Sequence, residues 1–303
     1  PGGLSGYDCE VAIAAHTGSP TMPLAEWTFA SYMSNDGNLE TFEDSWRGEM
    51  REVGSTSLVN IINLLDRRST NNAKIFYIKL KDETERVDYG AINMGDANTL
   101  SNFIVWVVEN YPSDRLFLAL ENHGLGWEGI CEDNNPLGDW ITTPELRTAL
   151  NNTGKIIDIL GFHACQMDMI EVAYEIHPFV KFMVASQENM PAGTWPHNTI
   201  LVNITNNPHQ NSDDLAKNIV EIYKAQHSGK RDYTYAALNL SAVPLLVDSV
   251  NTFSQALITG LPDHKDPIKQ ARSTTQVMRG KPRHADLYHF ANRVEALIAV
   301  SYT

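Results

Sequence analysis

From Trp27 onward, short apolar runs alternate with longer stretches of helical periodicity. The runs are Trp27–Met33, Leu58–Leu65, Lys74–Leu80, Leu116–Leu120, Ile156–Phe162, Phe179–Ala185 and Tyr233–Leu240. Several are apolar on both faces, Leu116-Phe117-Leu118-Ala119-Leu120 most clearly, as strands covered by helices on both sides must be. Leu58–Leu65 fits a strand or a helix by pattern alone and is read as a strand. Between the runs, Thr99–Tyr111 carries Phe103, Ile104, Val107 and Val108 and stops at Pro112. Gln166–Ile176 spaces Met167, Ile170, Ala173 and Tyr174 by three and four residues. Asp213–Gln226 follows Ser212, a suitable N-cap. Past Ser241 the pattern turns helical, breaks at Arg279-Gly280-Lys281-Pro282 and resumes over Asp286–Val300. This alternation predicts an α/β sandwich around an open, mostly parallel sheet. The expected organisation is a leader or edge segment over 1–26, an α/β domain over 27–240, and a helical extension over 241–303 packed on that domain.

Composition narrows the function classes. The 303 residues carry 23 Lys plus Arg against 37 Asp plus Glu, a net charge of −14. That balance argues against nucleic acid as a partner, which calls for a basic stripe. No run of about 18 apolar residues exists, so no membrane span is expected. The opening Pro1-Gly2-Gly3 reads as a trimmed end, consistent with earlier removal of a signal peptide. Three cysteines, Cys9, Cys131 and Cys165, form neither a disulfide framework nor a C-x-x-C zinc site.

In open α/β sheets ligands sit outside the carboxyl ends of the strands. Two of these ends carry chemistry: Glu121-Asn122-His123-Gly124-Leu125-Gly126-Trp127, and Gly161-Phe162-His163-Ala164-Cys165 entering a predicted helix. A thiol at a helix start is favoured as thiolate. His123 can serve as general acid or base. Gly124 and Cys165 can each offer an N–H to an oxyanion. Three rivals use the same residues. Gly124-Leu125-Gly126-Trp127-Glu128-Gly129 matches a dinucleotide fingerprint, but an acidic loop follows it where a helix is needed. Glu121, His123, His163 and Cys165 could ligate a metal, without a known ligand spacing to support it. A serine hydrolase lacks its G-x-S-x-G.

Asn122-His123-Gly124-Leu125-Gly126-Trp127 and Gly161 through Glu175 resemble the two catalytic blocks of the clostripain-like cysteine peptidases. Trp27-Thr28-Phe29 through Tyr32-Met33, with Asn35-Asp36-Gly37-Asn38-Leu39-Glu40, is similar to that family's first strand and following loop. Gly95-Asp96, Thr99-Leu100, Trp195-Pro196 and Asp286-Leu287-Tyr288 extend the likeness. The resemblance implies a caspase–hemoglobinase type of α/β/α sandwich and a dyad of Cys165 and His123, with Gly124 in the oxyanion hole. It also implies a polypeptide substrate, a secreted or cell-surface location and cleavage after a basic residue.

The last implication meets a departure. The family's Asp two residues before the nucleophile is His163 here, and residues 163 and 165 point to the same side of a strand. The family's Pro-Gly-Asp-Gly-Trp-like stretch reads Pro191-Ala192-Gly193-Thr194-Trp195. An Arg or Lys buried without an anion costs several kcal/mol, so a preference other than Arg or Lys is expected at P1, the residue before the cut. His163 would favour a carboxylate if protonated or a polar uncharged group if neutral. Ser186, Gln187, Glu188 and Asn189 follow another strand run and are expected to line the same pocket, with Trp195 as a wall. Glu188 is the acid that could restore a basic preference. No Lys or Arg lies between Trp127 and Leu146, so self-cleavage after a basic residue there is not expected. The chemistry needs no cofactor, and structural calcium, which some relatives use, remains an option. The alternatives are a catalytically silent peptide-binding homologue and, behind it, a metal-dependent hydrolase.

Overall fold

The computed structural model describes residues 24–134, 138–230, 233–278 and 281–299. Much of the leader segment expected over 1–26, and Cys9 with it, lies outside these residues, as does the Arg279-Gly280 part of the expected break.

In chain order the elements are β1 (Ala25–Asn35), α1 (Glu43–Val53), β2 (Val59–Arg67), β3 (Ala73–Lys79), β4 (Asp82–Gly90), α2 (Ala97–Asn110) and β5 (Ser113–Glu121). A small hairpin of β6 (Ile130–Asp133) and β7 (Asp139–Ile141) precedes α3 (Thr143–Asn152), β8 (Ile157–His163), α4 (Ile170–Ile176) and β9 (Val180–Ala185). Then come α5 (His197–Asn206), α6 (Ser212–Gln226), β10 (Ala236–Asn239), α7 (Val243–Thr274), β11 (Val277–Met278), β12 (Lys281–Ala285) and α8 (Leu287–Ala299).

One eight-stranded sheet runs β10-β9-β8-β5-β1-β2-β3-β4. Its centre, β9-β8-β5-β1-β2, is parallel, and the strands at both edges are antiparallel. The expected mostly parallel sheet is therefore present. The Lys74–Leu80 run departs from that pattern because Leu80 and Lys81 make a tight hairpin, with Lys81 at φ 59°.

Two apolar layers follow from the alternation of side chains along β1. Ala30 and Tyr32 point into a core closed by Leu100, Phe103 and Ile104 of α2, Leu146 and Leu150 of α3, and Val172 and Ile176 of α4. Trp27, Phe29 and Met33 point the other way, onto Trp46 and Met50 of α1, Ile200 and Ile204 of α5, and Leu215 and Ile219 of α6. Each fully buried side chain of this size contributes roughly 1.5–3 kcal/mol, which is why the sheet is nearly devoid of exposed centre positions. The chain is an α/β/α sandwich.

Helix starts differ in detail from the sequence expectation. Asn211, not Ser212, caps α6, its side chain accepting from the Asp214 N–H. The C-terminal helical pattern holds: α7 bends at His264, between Pro262 and Pro267, and α8 packs back on it. No helix among the described residues is long and apolar enough to cross a membrane.

Candidate active site

The strand order reverses at β1, whose neighbours β5 and β2 lie on opposite sides, so the carboxyl ends of β1, β5 and β8 meet at a switch point. The final rung between β5 and β8 pairs Glu121 with His163. Two residues further along each chain are His123 and Cys165. The loops touch closely there: a Cβ on Gly124 would lie 2.3 Å from the Cys165 carbonyl oxygen and 3.1 Å from its nitrogen. Only glycine fits. Neither the Gly124 N–H nor the Cys165 N–H donates to another described residue, and both residues line one cavity of about 380 Å³.

Cys165 does not open a helix. The helix expected from Gln166 begins at Ile170, because Gln166 adopts φ 63° and turns the chain sharply after the cysteine. Residues 164–169 form a loop braced by the Gln166 N–H to the Glu188 carbonyl and the Asp168 N–H to the Ser186 carbonyl. A left-handed non-glycine residue of this kind is characteristic of functional turns. Burial pushes the Cys165 thiol up, and the Met190 N–H, 3.3 Å from Sγ, opposes this only in part. The helix-dipole activation inferred from sequence is missing, since α4 starts five residues after the sulfur.

His123 is held from two sides. Its N–H donates to Asn122 Oδ1 at 2.6 Å, and Asn122 in turn accepts from the Glu132 N–H and donates to the Ser34 carbonyl. Its Nε2 lies 2.7 Å from Asn38 Oδ1, in the turn after β1. An amide oxygen only accepts, so Nε2 carries the proton and Nδ1 is left as the basic nitrogen.

His163 lines the cavity while only 5% exposed. Trp46 meets its ring edge-on at 4.5 Å and Trp195 stacks on it at 5.4 Å. Its Nδ1 is 3.0 Å from Glu121 Oε2, and His197 Nε2 reaches the same oxygen at 2.7 Å. Ser31 donates to the other carboxylate oxygen. Burial pushes the Glu121 carboxyl up, but the two imidazoles outweigh it and hold it well below the usual range. Burial pushes His163 down in spite of this bond. It pushes His197 down too, but there the Glu121 charge prevails and the imidazole is raised.

Most of the other expected pocket residues lie elsewhere. Ser186 is buried, its hydroxyl bonded to the Glu188 carbonyl and to Thr234, so it shapes a turn beneath the nucleophile loop. Gln187 and Glu188 donate their N–H groups to Thr234 and do not line the cavity. Trp195 is core, 1% exposed, and supports His163 from behind. Of the expected Ser186–Asn189 stretch only Asn189 lines the cavity, together with Leu39, Trp46, Met190 and Ala192, which the sequence did not single out as pocket residues. No acid lines it. Cys131 is fully buried, and desolvation pushes its thiol far up, so it is an inert core residue.

The metal set considered from sequence does not assemble as proposed. Glu121 and His163 come together with His197 instead of His123 and Cys165. Hydrogen bonds inside that group already use the ligand atoms. Asp36, Asp66 and Asp133 form a second buried group, with oxygens within 4.8 Å of one another. Burial, then the Asp133 charge, pushes Asp66 up to about 7. A carboxyl raised this way stabilises the fold fully below its unfolded value near 3.8 and loses that contribution as pH rises through 7. In chelator, Asp66→Asn is therefore expected to melt higher than wild type at pH 8.5, by on the order of 3 kcal/mol, with the gap closing toward pH 5.

The α/β/α sandwich thus brings a thiol, an imidazole and two backbone N–H groups to one cavity at its switch point. The clostripain family model, peptidase C11, matches residues 31–299, and the chain belongs to that family. Clostripain of Hathewaya histolytica is 32% identical over 100 residues, covering 28% of this chain and 19% of its own length. A secreted C11 cysteine protease of Bacteroides thetaiotaomicron, solved with an irreversible peptide inhibitor, superposes with a TM-score of 0.69 at 17% identity, over 92% of this chain and 81% of that one. An inactive zymogen C11 protease of Parabacteroides distasonis gives 0.68 at 19% identity, over 92% and 82%.

Proposed function

We propose that the chain is a cysteine endopeptidase with Cys165 as nucleophile and His123 as its acid–base partner. The observation that carries this is the placement of the two residues two positions beyond the last rung of adjacent parallel strands, beside two uncommitted N–H groups. In the reaction, the thiol proton passes to His123 Nδ1 as Sγ bonds to the scissile carbonyl carbon. The Gly124 and Cys165 N–H groups donate to the developing oxyanion, a role worth about 10²–10³ in rate per donor. His123 then protonates the leaving amine, and water hydrolyses the thioester. No cofactor enters these steps.

Arg and Lys are not the preferred P1 residues in this reading, since no carboxylate among the described residues lines the cavity to meet them. The loop after Trp127 is not self-cleaved after a basic residue, so the active enzyme is a single chain or is cut elsewhere. Calcium, if it accompanies the fold, would be held by the hard oxygens of Asp36, Asp66 and Asp133, outside the cavity, and would steady the loop after β1. An extracellular place of action is proposed from the family and from the secreted Bacteroides relative.

The test is a peptide library varied at P1, cleaved by wild type, by Cys165→Ala, and by wild type after alkylation or chelation. Loss on substitution and alkylation with survival of chelation supports the peptidase. Loss on chelation alone favours a metal hydrolase, and no cleavage by folded wild type favours a silent binding homologue. Asn38→Ala, which frees the His123 ring, is expected to lower kcat about 10²-fold with a smaller effect on KM, read in steady-state assays on the best peptide.

A further inference from the structure

Glu121 faces two imidazoles across the floor of the cavity, and its carboxylate can only accept hydrogen bonds. His163 Nδ1 and His197 Nε2 must therefore both carry protons. One negative charge serves two rings. His197 also has Glu49 Oε2 at 3.8 Å from its Nδ1, so the positive charge is best placed there, and the more weakly supported His163 is left neutral. With Nδ1 committed, the free lone pair of His163 is on Nε2. That atom bonds to no described residue, while its ring borders the cavity and is clamped by Trp46 and Trp195.

We propose that Glu121 and His197 lock His163 as a neutral hydrogen-bond acceptor on the floor of the P1 pocket, and that the pocket selects an uncharged carboxamide, Asn or Gln. This rests on the peptidase reading above. A carboxamide N–H donates to Nε2 and brings no charge. No carboxylate among the described residues lines the cavity to meet a cation, Glu121 being buried and engaged by Ser31, His163 and His197, and the Nε2 lone pair repels a carboxylate. An apolar side chain leaves Nε2 buried without a partner, a mismatch that discriminates by about 10- to 100-fold. Glu121 and His197 are positioning residues in this scheme, and His163 is the group that touches substrate.

The experiment pairs kinetics with the state of the ring. Peptides identical except for Asn, Gln, Leu, Arg, Lys or Asp at P1 are cleaved by wild type and by Glu121→Gln. Nitrogen-15 spectra of histidine-labelled protein, assigned with a His163→Gln variant, report the tautomer at pH 7. The expected result is kcat/KM for Asn or Gln at least about 10-fold above Leu, Arg and Lys, with a neutral, Nδ1-protonated His163. In Glu121→Gln, whose amide can donate to the ring, the carboxamide-to-leucine ratio falls about tenfold and the His163 signal moves toward the other tautomer. Arg or Lys as the best class, or a wild-type His163 protonated at Nε2, overturns the proposal while leaving the peptidase intact. If nothing is cleaved, the peptidase reading falls and the pocket assignment falls with it, whereas the spectra still decide the lock on the ring.

Discussion

Cys165→Ala is expected to lower kcat/KM by at least about 10³-fold with the fold unchanged. Alanine removes the sulfur that bonds to the carbonyl carbon, and Cys131 cannot replace it, being fully buried in the opposite layer. The structural cost is small because Cys165 is half-buried and, among the described residues, its sulfur bonds only to the Met190 backbone. Circular dichroism and melting close to wild type, alongside lost cleavage, are the outcome that separates chemistry from misfolding. Retained cleavage of the library by this variant would remove Cys165 from the mechanism. Because burial raises the thiol, alkylation of wild type should also accelerate as pH rises.

Glu121→Leu is expected to destabilise the protein by about 3–5 kcal/mol, since it breaks a buried charged pair by deleting one partner. The Ser31 hydroxyl and the His163 and His197 N–H groups all lose their acceptor at once. For a chain of this size that corresponds to roughly a 10 °C fall in Tm. The pH dependence has a definite sign. Glu121, held low, contributes above the unfolded carboxyl value near 4.5 and loses that contribution as pH falls through its folded value. His197, held high, contributes below the unfolded value near 6.5 and loses it as pH rises through its folded value. The difference between wild type and variant should be greatest near pH 6, between those two limbs. Melting curves across pH 4 to 9 measure it, and a constant difference would contradict the ion pair.

The central strands were legible because burial on both faces writes an unbroken apolar run, as in β5. The edge strand β4 was not, because Asp82–Gly90 is polar along most of its length and is fixed by its hairpin with β3. Helix α1 shows the same limit: only Trp46, Met50 and a few paired charges are buried in it, so it presents no long apolar stripe. In the site, His123 and Cys165 could be found because each follows a strand directly. His197 could not, since it lies 76 residues from Glu121 and stands alone in the sequence. Its one signal was the carboxylate at the end of β5, which needs a partner when buried. Ser186 and Glu188 were misplaced for a related reason: strand-end position fixes a neighbourhood, but not which way a side chain turns.

The floor of the cavity, Trp46 and His163, rests on Glu121, Trp195 and His197, all of them interior residues from separate parts of the chain. Surface loops can be exchanged between relatives at little risk to folding, but this floor cannot be transplanted as a loop. A lineage that altered its taste at this position would have to do so through the core, where every trial substitution is also a trial of stability. Changes in substrate preference should therefore arrive rarely, in coordinated pairs, and leave their trace in melting temperature before they appear in cleavage.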